Sequence, residues 1–186
     1  YDKLHEESEL LMFRKDGDEY EMIFAKTPFY AESGGQKGDT GTITGNSFSA
    51  DVNDTYTSAM GNVHRCIVKK GEVKKGLYML EVGKRNRNMT ERNHTATHIL
   101  HSVLKRVLGD HVKQEGSYVG PDKLRFDFTH FNAITEEEIS EIEEQVNEYI
   151  FDSHNVSTDT MDYNKAIENG ATALFTEKYG DNVRVV

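Results

Sequence analysis

Two histidines one helical turn apart are the first residues here that could do chemistry. His94-Thr95-Ala96-Thr97-His98 places imidazoles at i and i+4, on one face of a helix. Paired this way they can hold one metal ion, most often zinc. The same spacing also suits two surface or capped histidines of an ordinary helix. The zinc-protease pattern does not apply, because position 95 is Thr and no Glu stands there as a base. A tetrahedral site needs more than two ligands. The other candidates are His64, Cys66, His111, His130 and His154, and none forms a Cys-x-x-x-His or Cys-x-x-Cys pair. His64 and Cys66 alternate on a predicted strand in another domain, so either the domains meet at the metal or ligands are missing. His101 falls on the same side of the helix as the pair.

A second feature is Phe29-Tyr30-Ala31-Glu32-Ser33-Gly34-Gly35-Gln36-Lys37-Gly38-Asp39. It reads either as a glycine turn between strands or as a backbone surface that a ligand approaches closely. In the second case Glu32, Ser33 and Gln36 are polar handles beside Gly34 and Gly35. The strand–helix context of a phosphate-cradling loop is missing. A third feature is Gln114, followed by Glu115-Gly116. Its amide could read a small polar group, or it could be an ordinary loop glutamine. No Ser/His/Asp arrangement is visible, which argues against a covalent acyl intermediate.

These residues need elements to hold them. The chain has 186 residues with a net charge of −10, 36 % hydrophobic residues and a single cysteine. That size fits one domain or two small ones. One cysteine excludes an internal disulfide and suits a reducing compartment, most simply the cytoplasm. No apolar run approaches the length that spans a bilayer, so no membrane is expected. The acidic balance argues against nucleic acid until its distribution is considered. Residues 135–152 carry eight carboxylates and no Lys or Arg, which leaves about −2 for the rest. Lys84, Arg85, Arg87 and Arg92 lie together, a possible local basic face or ordinary solvated surface.

Residues 1–13 suit the end of a helix entering from a preceding domain. From 20 to 82, short apolar runs alternate with Gly, Asn and Asp at intervals near ten residues, which predicts a small β-barrel. Around residue 90 the period becomes helical: Ala96, Ile99, Leu100, Val103, Leu104, Val107 and Leu108 follow it, Thr90-Glu91 offers a start and Gly109 a stop. A hairpin is predicted from Ser117-Tyr118-Val119 and Lys123 to Phe128. Thr135 to Glu138 is a capping box opening a helix with an Ile139, Ile142, Val146, Ile150 stripe. A strand at 155–160, short helices near 162–169 and 172–178, and a strand at 183 follow. The fold class is α+β: a β-barrel domain over 1–86, then an α+β domain over 87–186 with an antiparallel sheet and helices on one face. The missing initiator Met and the closing Val183-Arg184-Val185-Val186 suggest a piece of something longer.

Four ordered segments together resemble the editing region of the bacterial alanyl-tRNA synthetase family. They are Thr27 to Asp39, Asn93 to His101, Leu124 to Phe128 and Gly170 to Gly180. The Thr-Pro-Phe-Tyr-Ala-Glu-Ser-Gly-Gly run favours the synthetases over the free-standing editing proteins that share the architecture. The resemblance implies hydrolysis of seryl- or glycyl-tRNA(Ala), with the aminoacylated 3′ end of tRNA(Ala) as partner. It implies zinc held in part by His94 and His98, Gln114 beside the aminoacyl group as the catalytic-site glutamine, and Glu32, Ser33, Gly34, Gly35 and Gln36 lining the same cleft. The family supplies two further zinc ligands from a Cys-x-x-x-His segment beyond the position of Val186, so weak zinc and weak activity are expected of this chain. Attachment of alanine with ATP and Mg would belong to other parts of the parent. A non-catalytic tRNA acceptor-end module, with structural histidines, is the rival reading, and a free-standing deacylase is a third.

Overall fold

The computed structural model describes residues 3–155, 157–171 and 180–185. The predicted helix at 172–178 lies outside the described residues.

Six strands close into an antiparallel barrel: β1 (His5–Asp16), β2 (Glu19–Phe24), β3 (Gly41–Gly45), β4 (Phe48–Ser58), β5 (Gly61–Lys70) and β6 (Leu77–Val82), in the order β1-β2-β5-β4-β3-β6. Alternation is clearest along β6, where Tyr78, Leu80 and Val82 turn inward between exposed neighbours, and along the first half of β4, where Phe48, Ala50 and Val52 do. Leu10, Met22, Ile43 and Leu80 are at most 1 % exposed and fill the interior with Phe48 and Tyr78. Closure removes the sheet edges that would otherwise invite pairing with other chains.

The start of the chain differs from the helix expected there. His5–Asp16 is a barrel strand, paired to β2 on one side and β6 on the other. Glu7 and Glu9 face outward, alternating with Ser8 and Leu10, which point in. The Glu-rich composition gave it a helical look, and pairing with two neighbours overrides that propensity.

A long helix follows, α1 (Lys84–Leu108). It begins six residues before Thr90. Gly83 stands at the N-cap with no side-chain cap, so no local signal marks the start. A tertiary contact does: Arg87, inside the first turn, is 2 % exposed and bonds Asp39 of the barrel side. Arg87 therefore leaves the predicted basic face.

The hairpin is β7 (Gln114–Val119) and β8 (Leu124–Phe128), packed on α1. Next comes α2 (Glu136–Phe151), opened by the Thr135–Glu138 capping box with both reciprocal bonds present. Ile142 is buried and Val146 half-buried against α1, whereas Ile139 and Ile150 remain 42 % and 49 % exposed. Val103, Leu104, Val112 and Ile142 form this second core. The pair β9 (Asp159–Asp162) and β10 (Asn182–Val185) brackets the short α3 (Tyr163–Glu168). The second half is α+β, built among the described residues from two separate two-stranded sheets.

Candidate functional site

The glycine run folds into a two-residue turn. Ser33 and Gln36 exchange backbone hydrogen bonds of 3.0 and 3.1 Å. Gly34 and Gly35 have φ of 60° and 84°. Positive φ at both central positions is the geometry of a primed hairpin turn, which glycine adopts without strain. Gly35 is required for a second reason: a Cβ there would lie 2.3 Å from Ser117 Oγ and 2.5 Å from Ser117 O.

That close approach lets the turn dock on β7. Val119 N–H donates to Gly35 O at 2.8 Å, and Lys37 N–H donates to Val119 O at 2.9 Å. Two backbone bonds thus join the barrel side to the hairpin. Asn93 Nδ2 donates to Gly120 O at 2.7 Å and ties α1 to the same hairpin.

Gln36, 1 % exposed, reaches α1 from this junction. Its Oε1 accepts from His94 Nδ1–H at 2.6 Å. The amide oxygen fixes the tautomer and leaves the lone pair on Nε2. A metal-binding histidine needs that arrangement, with one ring nitrogen oriented by a neighbour and the other free to ligate. The His98 ring lies 5.0 Å from His94, inclined by 23°. Desolvation, and then the neighbouring His98, hold the His94 imidazole below its ordinary pKa, and desolvation does the same for His98. Both rings are therefore neutral at pH 7, the form that binds a metal.

Gln114 is the first residue of β7 and not a loop residue. The register pairs Gln114 with Phe128 and Gly116 with Asp127, so Glu115 is the extra residue of a β-bulge. Bulges re-aim side chains. Here Gln114 Nε2 donates to Ser117 Oγ at 3.1 Å, and Ser117 Oγ donates to Gly34 O at 3.3 Å. Turn, glutamine and hydroxyl form one chain of contacts. Ser117 belongs to no motif; only its alternate position on the hairpin hints at it. Glu32 stays on the surface in an ion pair with Lys37 at 2.7 Å. Ser33 and Gly34 are exposed.

The other candidate ligands do not join the pair. His64 lies inside the barrel, bonded to Thr27 and Met22. Cys66 is also inside, and burial pushes its thiol up to about 12. His111 bonds His130, and His154 faces Asp152. His101 turns into the second core, 5.0 Å from the Phe126 ring, and its Nε2 has no hydrogen-bond partner among the described residues. Among the described residues no group of three or more His, Cys, Asp or Glu is placed to hold a metal. The two imidazoles are the right donors in the right orientation, and they supply half of a tetrahedral set. A cleft of about 310 Å³ lies nearby, lined by Lys37, Asp39, Asn53, Asp54, Tyr118 and Asp122, and does not include His94, His98 or Gln114.

Comparison with known proteins bears directly on this arrangement. The family model for class II (A) tRNA synthetases matches residues 2–86. The alanine–tRNA ligase of Thermotoga petrophila is 47 % identical over all of this chain, and that of Pseudothermotoga lettingae is 50 % identical, again over all of it. The alanine–tRNA ligase of Listeria monocytogenes is 53 % identical over 91 % of the chain. The chain belongs to the alanyl-tRNA synthetase family. It spans 20 to 23 % of the length of these relatives. The alanyl-tRNA synthetase family match runs across both halves of the fold, so the barrel, the glycine turn, the α1 histidines and the hairpin all fall in one segment of such ligases.

Proposed function

We propose that this chain is the segment of an alanine–tRNA ligase that hydrolyses seryl- and glycyl-tRNA(Ala). The Gln36–His94 hydrogen bond is the observation that carries the reading. It joins the glycine turn of one lobe to the histidine helix of the other, and Gln114 is linked to the same turn through Ser117. The chemical need is plain. A pocket sized for alanine rejects an added hydroxyl by only about a hundredfold, and glycine is smaller still. A second site that inspects the product meets that need, and buried hydrogen-bonding groups discriminate a hydroxyl well.

His94 and His98 would hold a zinc ion through Nε2, with remaining ligands from outside the described residues. Zinc held there would supply Lewis-acid chemistry to the hydrolysis. Gln36 orients the His94 ring. The Gln114 amide and the Ser117 hydroxyl offer a donor and an acceptor to the aminoacyl group. The bare backbone at Gly34 lets the ester come close. Water adds to the ester carbonyl, the bond from that carbon to the ribose oxygen breaks, and the ribose hydroxyl regains a proton. Joining alanine to tRNA(Ala) with ATP and Mg is assigned to the whole ligase.

The test is seryl-tRNA(Ala) deacylation by the full-length ligase. Gln36→Ala is expected to lower it roughly 10- to 100-fold, as loss of an orienting partner does at metal sites. His94→Ala is expected to lower it at least as far, with alanine attachment unchanged. Full deacylation by His94→Ala would hand the site to the tRNA-binding reading. Metal content gives a separate check. After dialysis this 186-residue chain is expected to retain well under one zinc, because two imidazoles make a weak site; one tightly held zinc per chain would contradict it.

A further inference from the structure

We propose that Phe131 and the His111–His130 pair form a stacking platform for an unpaired nucleobase at the 3′ end of the tRNA. The proposal rests on the reading of the site as one that receives an aminoacyl-tRNA.

His111 Nε2 lies 2.9 Å from His130 Nδ1, with ring centroids 5.1 Å apart and planes inclined by 21°. A hydrogen bond at that centroid separation puts the rings edge to edge and nearly coplanar, since rings stacked face over face would bring their centroids closer. One ring donates its N–H and the other accepts. The two imidazoles make a flat tile. The Phe131 ring lies 4.7 Å from His111 with planes inclined by 24°, an offset stack. Phe131 is nevertheless 83 % exposed. A lone exposed Phe is unremarkable. An exposed Phe aligned with a hydrogen-bonded imidazole pair is an ordered aromatic surface with most of one ring open to solvent.

Its place in the fold suggests what it meets. Lys113 N–H donates to Thr129 Oγ1 at 3.1 Å, Thr129 N–H donates to Lys113 O at 3.0 Å, and Thr129 Oγ1 donates to His111 O at 3.1 Å. These bonds continue the hairpin past the Gln114–Phe128 pair to Lys113 and Thr129, and the side-chain pair His111–His130 lies just beyond that open end. His111 is three residues from Gln114, so the two backbones are at most roughly 11 Å apart. An ester at Gln114 is carried by the terminal nucleotide, and the bases next to it are unpaired. Unpaired bases are held by aromatic faces, Phe and His among them. The exposed Lys113 stands between platform and glutamine, where a phosphate would pass.

The test compares two labelled RNAs by fluorescence anisotropy with this chain: an acceptor-stem hairpin with unpaired 3′ nucleotides and the same hairpin with a blunt end. The wild type is expected to bind the first more tightly. Phe131→Ala is expected to weaken that binding roughly tenfold, to leave the blunt hairpin unchanged, and to be rescued by Phe131→Trp. Equal binding of both RNAs by the wild type, or a Phe131→Ala variant that binds both as the wild type does, overturns the proposal. Equal loss for both RNAs also overturns it, by assigning Phe131 to something other than an unpaired base. The hydrolytic reading is judged separately by His94→Ala deacylation. A platform that passes while that assay fails stands as a binding surface.

Discussion

Asp39→Ala is expected to destabilise this chain by about 3–5 kcal/mol, the cost of leaving a buried charge without its partner. The stranded charge would be Arg87. Its side chain is 1 % exposed, and that of Asp39 is 6 % exposed. Arg87 Nε donates to both carboxylate oxygens at 3.0 and 3.1 Å, Nη2 also bonds Asp39, and Nη2 donates to Pro28 O at 2.9 Å. Asp39 accepts the Tyr30 N–H at 2.6 Å as well. With the carboxylate gone, the guanidinium keeps only the Pro28 carbonyl among these bonds. Arg87→Met is expected to cost a similar amount, by stranding Asp39. The double variant Asp39→Ala/Arg87→Met is expected to lose clearly less than the two single losses combined, because no lone charge remains. Urea midpoints at constant m-value read all three. Losses under about 1 kcal/mol for both single variants would mean that water reaches the pair, as at a surface bridge.

The same pair shows where the sequence stops being legible. Barrel strands announce themselves by alternation, and β6 runs over the very residues, Leu77–Val82, where its pattern ends. The capping box places α2 through purely local chemistry. The start of α1 has no such mark. Lys84-Arg85-Asn86-Arg87 looks like a basic, solvated stretch, and its helical state depends on a carboxylate 48 positions away. β1 fails to show for a similar reason: acids at outward positions are compatible with strand or helix, and only pairing with both β2 and β6 decides.

The candidate site divides along the same line. Residues with a short-range signature were visible: the i, i+4 histidines, and two adjacent glycines that need positive φ. The hydrogen bond that connects them was not, because Gln36 and His94 are 58 positions apart. Ser117 showed only its place in the hairpin, and Gln114 read as loop because the bulge at Glu115 breaks the alternation that would have marked a strand. Local chemistry nominated the residues, and tertiary register assembled them.

Arg87 and Asp39 secure one end of the Thr27–Asp39 segment, and His64 secures the other, which makes acid the second way to loosen it. His64 is fully buried. Its Nδ1–H donates to Met22 O at 3.0 Å, so Nε2 accepts, and the Thr27 hydroxyl donates to it at 2.7 Å. Phe24 and Phe29 meet the ring edge-on at 5.4 and 5.2 Å. Burial lowers its pKa from 6.5 to about 4, only partly opposed by the Met22 carbonyl. The unfolded chain therefore takes up this proton first as pH falls, and the folded chain resists it. Stability from the neutral ring is fully present above pH 6.5 and is lost as pH falls from there through about 4. The loss is expected to reach about 2 kcal/mol at pH 5 and about 3 kcal/mol at pH 4. Carboxylates titrate in the lower part of the same window, so the variant His64→Gln is the comparison that isolates the ring: its amide keeps a donor and an acceptor and has no proton to gain. Unfolding free energies of both proteins, measured from pH 7 to 4, are expected to converge by about 3 kcal/mol as the wild type alone loses this contribution. Parallel pH profiles would show that the His64 ring protonates equally readily in the folded and unfolded chain, and that burial does not hold it neutral at the start of the glycine-turn segment.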